Sequence, residues 1–156
     1  METEDKRAVL IVAMLSAFLL PFTGTSLNVA LPQMGSDLAA DSVLLGWIVT
    51  AYILSAAMFL VPIGRIADLR GRRRIFKIGA WIFAVTSLLI ALASSPWGVI
   101  TLRALQGFGG AMILGNGAAL LASVYPAHER GRVLGIYVGT VYTGQSVGPF
   151  LGGFIT

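Results

Sequence analysis

The side chains able to do chemistry in this sequence are few, and the one least expected where it stands is Arg103. It opens the element Arg103-Ala104-Leu105-Gln106-Gly107-Phe108-Gly109-Gly110, inside a long apolar run. A guanidinium costs about 2.5–3.5 kcal/mol to place near the centre of a bilayer, so it normally faces a cavity or a partner. The alternative is that its long stem lets the head reach the nearer surface. Gln106, one helical turn on, and Gln145 in a later run are candidate hydrogen-bond partners by type. Because arginine stays protonated across physiological pH, what Arg103 offers is attraction of an anionic group.

A second constellation is Gly64-Arg65-Ile66-Ala67-Asp68-Leu69-Arg70-Gly71-Arg72-Arg73-Arg74, a basic turn with a single acid. Asp68 can pair with Arg72 or Arg73 across the turn, or face a neighbouring helix amino terminus. Gly71 permits the positive φ that a tight link needs. On its own this pattern is also what a simple basic stop signal would look like. A third constellation is Gly135, Gly144, Gly148-Pro149 and Gly152-Gly153. Gly144, Gly148 and Gly152 recur every four residues and line one helix face, where another backbone can approach closely; Pro149 removes a backbone donor and can bend the helix.

The elements that must position these residues follow from composition. With 56% hydrophobic residues, 12% charged residues and a mean hydropathy of +0.84, the chain of 156 residues lacks the polar surface of a soluble globule and reads as an integral membrane protein. Apolar runs of bilayer-crossing length, roughly 20 residues as helix, cover residues 8–30, 44–67, 75–93, 97–124 and 133–156. They are unbroken, unlike the alternating strands of membrane barrels, so the expected fold is an all-α transmembrane bundle. The first run has the charged start of a signal peptide but continues through Phe22 and Leu27 to Pro32, which favours a span.

The net charge of +4 comes from cations that flank apolar spans, so lipid headgroups are the expected counter-charge and nucleic acid is not an expected partner. Of the eleven Lys and Arg residues, all but Arg103 fall in the amino terminus or in and beside the links after the second and fourth runs. The links at Gln33–Val43 and Ser94–Pro96 carry none. Cations favour the inner side of a membrane, which puts the amino terminus and the two basic links in the cytoplasm. The last run reaches Thr156 with no polar stop, so the chain reads as cut short. Cysteine is absent, which excludes disulfides and thiolate chemistry. No phosphate-binding loop, metal cluster or catalytic triad stands out, so enzymatic activity, a cofactor and a metal are not expected.

The particular order of residues carries a resemblance. Gly64-x-x-x-Asp68-x-x-Gly71-Arg72-Arg73 resembles the G-x-L-A-D-r-x-G-r-k signature of the major facilitator superfamily, with Ile66 where leucine is usual. Arg103 to Gly109 resembles the family's R-x-x-q-G-x-g element, and the glycines from Gly135 to Gly153 fit the G-x8-G-x3-G-P-x2-G-G pattern associated with its exporters. Asn28-Val29-Ala30-Leu31-Pro32 together with Trp47-Ile48-Val49-Thr50-Ala51-Tyr52 is similar to the fourteen-helix drug:proton antiporter branch.

The resemblance implies helices one to five of a two-halved transporter, the first half built from inverted three-helix repeats. It implies efflux of small amphipathic compounds by alternating access, in exchange for protons. Uptake or anion exchange is the alternative within transport, and a truncated, self-associating membrane domain is the alternative outside it. Implied partners are the bilayer, a small-molecule substrate, protons and the missing carboxy-terminal half. Implied cavity residues are Arg103, Gln106 and Asn28; Gly64, Asp68, Gly71, Arg72 and Arg73 would form a conformational-switch loop. The glycine-rich fifth helix would pack against a helix of the other half.

One departure bears on coupling. Where the antiporter branch commonly has an aspartate, five positions before Asn28, this chain has Thr23, whose hydroxyl does not titrate near neutral pH. Every acid of the chain, from Glu2, Glu4 and Asp5 to Asp37, Asp41, Asp68 and Glu129, lies in a terminus or link.

Overall fold

The computed structural model describes residues 3–155, with side chains described for 6–154. Glu2 and Thr156, and the side chains of Glu4 and Asp5, lie outside the described residues. The described chain is five helices and no strand: α1 Thr3–Asp37, α2 Ser42–Arg70, α3 Arg72–Ala91, α4 Pro96–Val124 and α5 Ala127–Ile155. Apolar sequence makes the helices, and a few polar or special residues end them. The Asp41 carboxylate accepts from the Leu44 N–H at 2.8 Å to cap α2, and the Ser95 hydroxyl accepts from the Gly98 N–H at 3.2 Å to cap α4. Such caps contribute about 0.5–2 kcal/mol each. Pro96 follows Ser95 at the start of α4, where a missing N–H costs no hydrogen bond. Between α2 and α3 the whole link is Gly71, at φ 93°, a value that side-chain-bearing residues rarely adopt.

α1 to α4 are each long and apolar enough to cross a membrane. α5 matches them in length but opens on His128, Glu129, Arg130 and Arg132 and is diluted by glycine. Trp81, Leu88, Leu92 and Phe154 are all exposed, so the outer faces are as apolar as the interfaces. That is the arrangement suited to hydrocarbon as solvent.

The helices do not pack in chain order. α4 lies against α2 and α3, and α1 against α5, whereas α1 and α2, or α4 and α5, barely touch. α2 and α4 run parallel in constant register: Arg103 bonds the Ile48 carbonyl, 55 residues away, Gly107 lies on the Tyr52 carbonyl and Gly115 on that of Leu60. α1 and α5 also run parallel. The Thr140 hydroxyl meets the Met14 sulfur, 126 residues away, at 3.4 Å, and Gly144, Gly148 and Gly152 follow against Phe18, Phe22 and Ser26. Exchanging α1 with α4 and α2 with α5 turns one pair into the other, as in an inverted repeat.

α3 runs antiparallel to α4. Gly79 and Gly109 meet backbone to backbone; a Cβ on Gly79 would lie 2.9 Å from the Gly109 carbonyl oxygen. The core is a seam of Val9, Ala13, Ala17 and Leu20 from α1 with Phe76, Phe83, Ile113, Leu120, Val133 and Tyr137.

The basic segments gather at one end. The Tyr125 hydroxyl donates to the Lys6 carbonyl at 3.5 Å, and one cavity of about 400 Å³ touches Val9, Asp68, Arg72, Arg73 and Val124. With the amino terminus inside, single cysteines at Ser36, Ser95 and His128 are expected to be labelled by an impermeant thiol reagent from outside, outside and inside respectively. The chain's lack of cysteine leaves no background. External labelling at position 128 with protection at position 36 would reverse the orientation.

Candidate functional site

Arg103 is 2% exposed, so its head does not reach the surface of the bundle. Its Nε donates to the Ile48 carbonyl at 3.2 Å and its Nη1 to Gln106 Oε1 at 2.6 Å. The guanidinium also lies over the Tyr52 ring, 4.4 Å from the centroid. Gln106, fully buried, passes the network to α3: its Nε2 donates to the Ser87 hydroxyl at 2.7 Å, and Ser87 donates to the Phe83 carbonyl at 2.7 Å.

No carboxylate among the described residues forms an ion pair with Arg103. Hydrogen bonds to a charged group contribute about 1.5–3 kcal/mol each, and a desolvated cation–π contact about 2 kcal/mol. Two such bonds and the ring are therefore enough to offset the insertion cost of about 2.5–3.5 kcal/mol. The neutral clamp keeps the cation in place while leaving its charge uncancelled.

The site depends on close helix approach. Gly107 lies so near the Tyr52 carbonyl that a side chain there would collide with backbone, and a Cβ on Gly110 would sit 2.9 Å from the Tyr52 hydroxyl. Glycine at those two places lets α2 bring both Ile48 and Tyr52 to Arg103. Asn28 is exposed on α1, and Gln145 is exposed on α5; neither joins the Arg103 network. Ile48, Tyr52 and Ser87 were not marked as site residues by their types. The signal that could have found Tyr52 is the stacking preference of arginine for aromatic rings, but it needs the α2–α4 register to be applied; the Ile48 carbonyl and the Ser87 hydroxyl carry no such signal.

In the basic link, Arg72 pairs with Asp68 at 2.7 Å across one helical turn of sequence, with both side chains more than a third exposed. An exposed pair of this kind contributes about 0–1 kcal/mol. Gly64 has open space around it and Gly71 carries the turn. Arg73 lines two cavities at this end, with Val9 and Leu120 common to both.

On α5, Gly144, Gly148 and Gly152 face the backbone of α1. Ser26 donates to the Gly148 carbonyl at 2.9 Å. Gly135 faces open space, and Gly153 is in ordinary contact with Val29. Pro149 is exposed.

The arrangement is that of a polytopic helical membrane bundle with a clamped cation among its helices, its charge uncancelled among the described residues. The chain belongs to the Major Facilitator Superfamily, whose family model matches residues 13–156. It is 29% identical over 97% of its length to the riboflavin transporter of Clostridioides difficile, covering 33% of that protein. It is 36% identical over 94% of its length to the puromycin resistance protein of Streptomyces alboniger, covering 29% of it. It is 35% identical over 99% of its length to the cephamycin export protein of Amycolatopsis lactamdurans, covering 32% of it. The chain thus spans about a third of the length of these relatives. The family is one of membrane transporters.

Proposed function

We propose that the full-length protein exports small amphipathic compounds by alternating access, in exchange for protons, with its amino terminus in the cytoplasm. The observation that carries this reading is the buried Arg103, held by an α2 carbonyl, an amide and a ring, its charge uncancelled among the described residues. A fixed charge of this kind attracts an anionic group of the substrate in one state and a carboxylate from the remainder of the protein in another. A difference in affinity between states is what moves the equilibrium. One relative is a cephamycin export protein and another a puromycin resistance protein, which supports the outward direction; the uncancelled charge of Arg103 favours a second reading, uptake or exchange of an anionic substrate. The link at Asp68–Arg72, exposed and weak, is suited to breaking and re-forming between states.

Thr23 donates to the Leu19 carbonyl of its own helix at 2.7 Å, a bond that serves the helix and moves no proton. Cells expressing the full-length protein are expected to accumulate less of an amphipathic dye, and a protonophore is expected to restore accumulation. Thr23→Val is expected to leave that proton dependence unchanged. Accumulation that does not respond to the protein at all defeats the export reading. Loss of proton dependence in Thr23→Val alone would move the coupling role to Thr23.

A further inference from the structure

Trp47–Tyr52 on α2 and Arg103–Gly110 on α4, two patterned stretches of the sequence, interlock at Tyr52. The contacts run in order along α4. Arg103 lies on the face of the Tyr52 ring, 4.4 Å from its centroid. One turn on, Gly107 lies against the Tyr52 carbonyl, where a side chain would collide with backbone. Three residues further, Gly110 lies against the end of the ring: a Cβ there would sit 2.9 Å from the hydroxyl oxygen, 3.4 Å from Cζ and 3.5 Å from Cε2. The ring is thus held between a cation and a notch that exists because position 110 has no side chain. The guanidinium, for its part, has two fixed bonds, Nε to the Ile48 carbonyl and Nη1 to Gln106, while Nη2 makes no hydrogen bond among the described residues. Two bonds define an axis and leave the plane free to tilt about it; a ring stacked on one face removes that freedom.

We propose that Tyr52 is a positioning residue for Arg103: its ring, seated by Gly107 and Gly110, fixes the plane of the guanidinium and presents Nη2 edge-on. The N–H bonds of a guanidinium lie in its plane, so whatever sets the plane sets the direction from which an anion can bond it. The chemistry this suits is an oxyanion approaching in that plane, a carboxylate above all, since its oxygens match the planar donors of arginine. Tyr52 does not touch the anion; it acts through Arg103. That consequence rests on the transport reading given above, whereas the positioning itself does not.

The test uses the full-length protein in membranes and phenylglyoxal, which modifies guanidinium groups that it can reach. The rate at Arg103 is read by mass spectrometry against that at Arg74, which is exposed near the start of α3. Loss of a desolvated cation–π contact corresponds to a factor of about thirty in equilibrium, so Tyr52→Leu is expected to raise the Arg103 rate by about tenfold or more. Gly110→Ala, whose Cβ drives the hydroxyl aside, is expected to raise it too. Adding Tyr52→Phe to Gly110→Ala keeps the ring and removes the atom in the way, and is expected to return the rate to that of Tyr52→Phe alone. A contribution to stability alone would not be repaired by deleting a hydroxyl. Leu121→Ala, which opens a space in the core eleven residues along α4 from Gly110, is expected to leave the rate unchanged. Wild-type reactivity in Tyr52→Leu or in Gly110→Ala, no repair in the double variant, or an equal rise in Leu121→Ala overturns the proposal. Where Tyr52→Leu fails to accumulate, Gly110→Ala with and without Tyr52→Phe decides by the same criterion. No transport is measured, so failure of the export reading leaves this result standing.

Discussion

Arg103→Ala in the full-length protein is expected to abolish the proposed transport while the protein still inserts and accumulates. Removing one partner of a buried charge contact costs about 2–5 kcal/mol, a loss of more than about thirtyfold in affinity at the lower bound. Insertion survives because Ile48 retains its place in α2 and Gln106 still reaches Ser87, so the clamp loses its cargo and not its frame. Arg103→Lys separates charge from geometry. Lysine keeps the charge but not the planar fork that bonds the Ile48 carbonyl and Gln106 together while lying on Tyr52. Transport is expected to fall in Arg103→Lys but to stay above that of Arg103→Ala. The measurements are initial transport rate and protein level in membranes; normal transport by Arg103→Ala removes Arg103 from the mechanism.

The second large effect concerns α5. Gly148→Leu is expected to lower thermal stability in detergent, or to uncouple transport, far more than Leu151→Ala. A Cβ at position 148 would strike the Thr25 hydroxyl and lie 2.9 Å from the Phe22 carbonyl. The hydroxyl can turn aside, but the carbonyl belongs to the α1 backbone and moves only if the helices part. Overpacking of this kind costs about 1–3 kcal/mol or more. Separation also breaks the Ser26 bond to the Gly148 carbonyl, and such interhelical bonds contribute about 0.6 kcal/mol on average. Leu151 is 40% exposed and its truncation leaves the α1 contact in place. Equal melting temperatures and transport rates for the two variants would mean that the Gly144–Gly148–Gly152 face does not set the helix spacing.

The sequence by itself determined the kind of element, because membrane crossing is a property of each run separately: about 20 apolar residues suffice whatever the neighbours do, and α1 to α4 meet that condition. It also determined the local devices. A turn at Gly71 and a pairing of Asp68 with Arg72 or Arg73 were legible because they involve residues close in the chain; that the helices run on to leave Gly71 as the whole link, with Arg72 on Asp68, was decided by the structure. The spacing of Gly144, Gly148 and Gly152 already defined a face, because helical periodicity needs no partner.

The partner of each face was decided only by the tertiary structure. Nothing local relates Gly148 to Phe22, or Arg103 to Tyr52, since the parallel pairings join residues separated by 126 and 55 in sequence across intervening helices. Gln145, a candidate for Arg103 by type, lies exposed on α5, whereas Gln106 is in the network because it shares a helix with the arginine. Tyr52 and Ser87 entered the site through packing alone. In hydrocarbon, apolar helices have no solvent-driven preference for one another, so their pairing follows from where small residues let backbones close and where buried polar groups find each other.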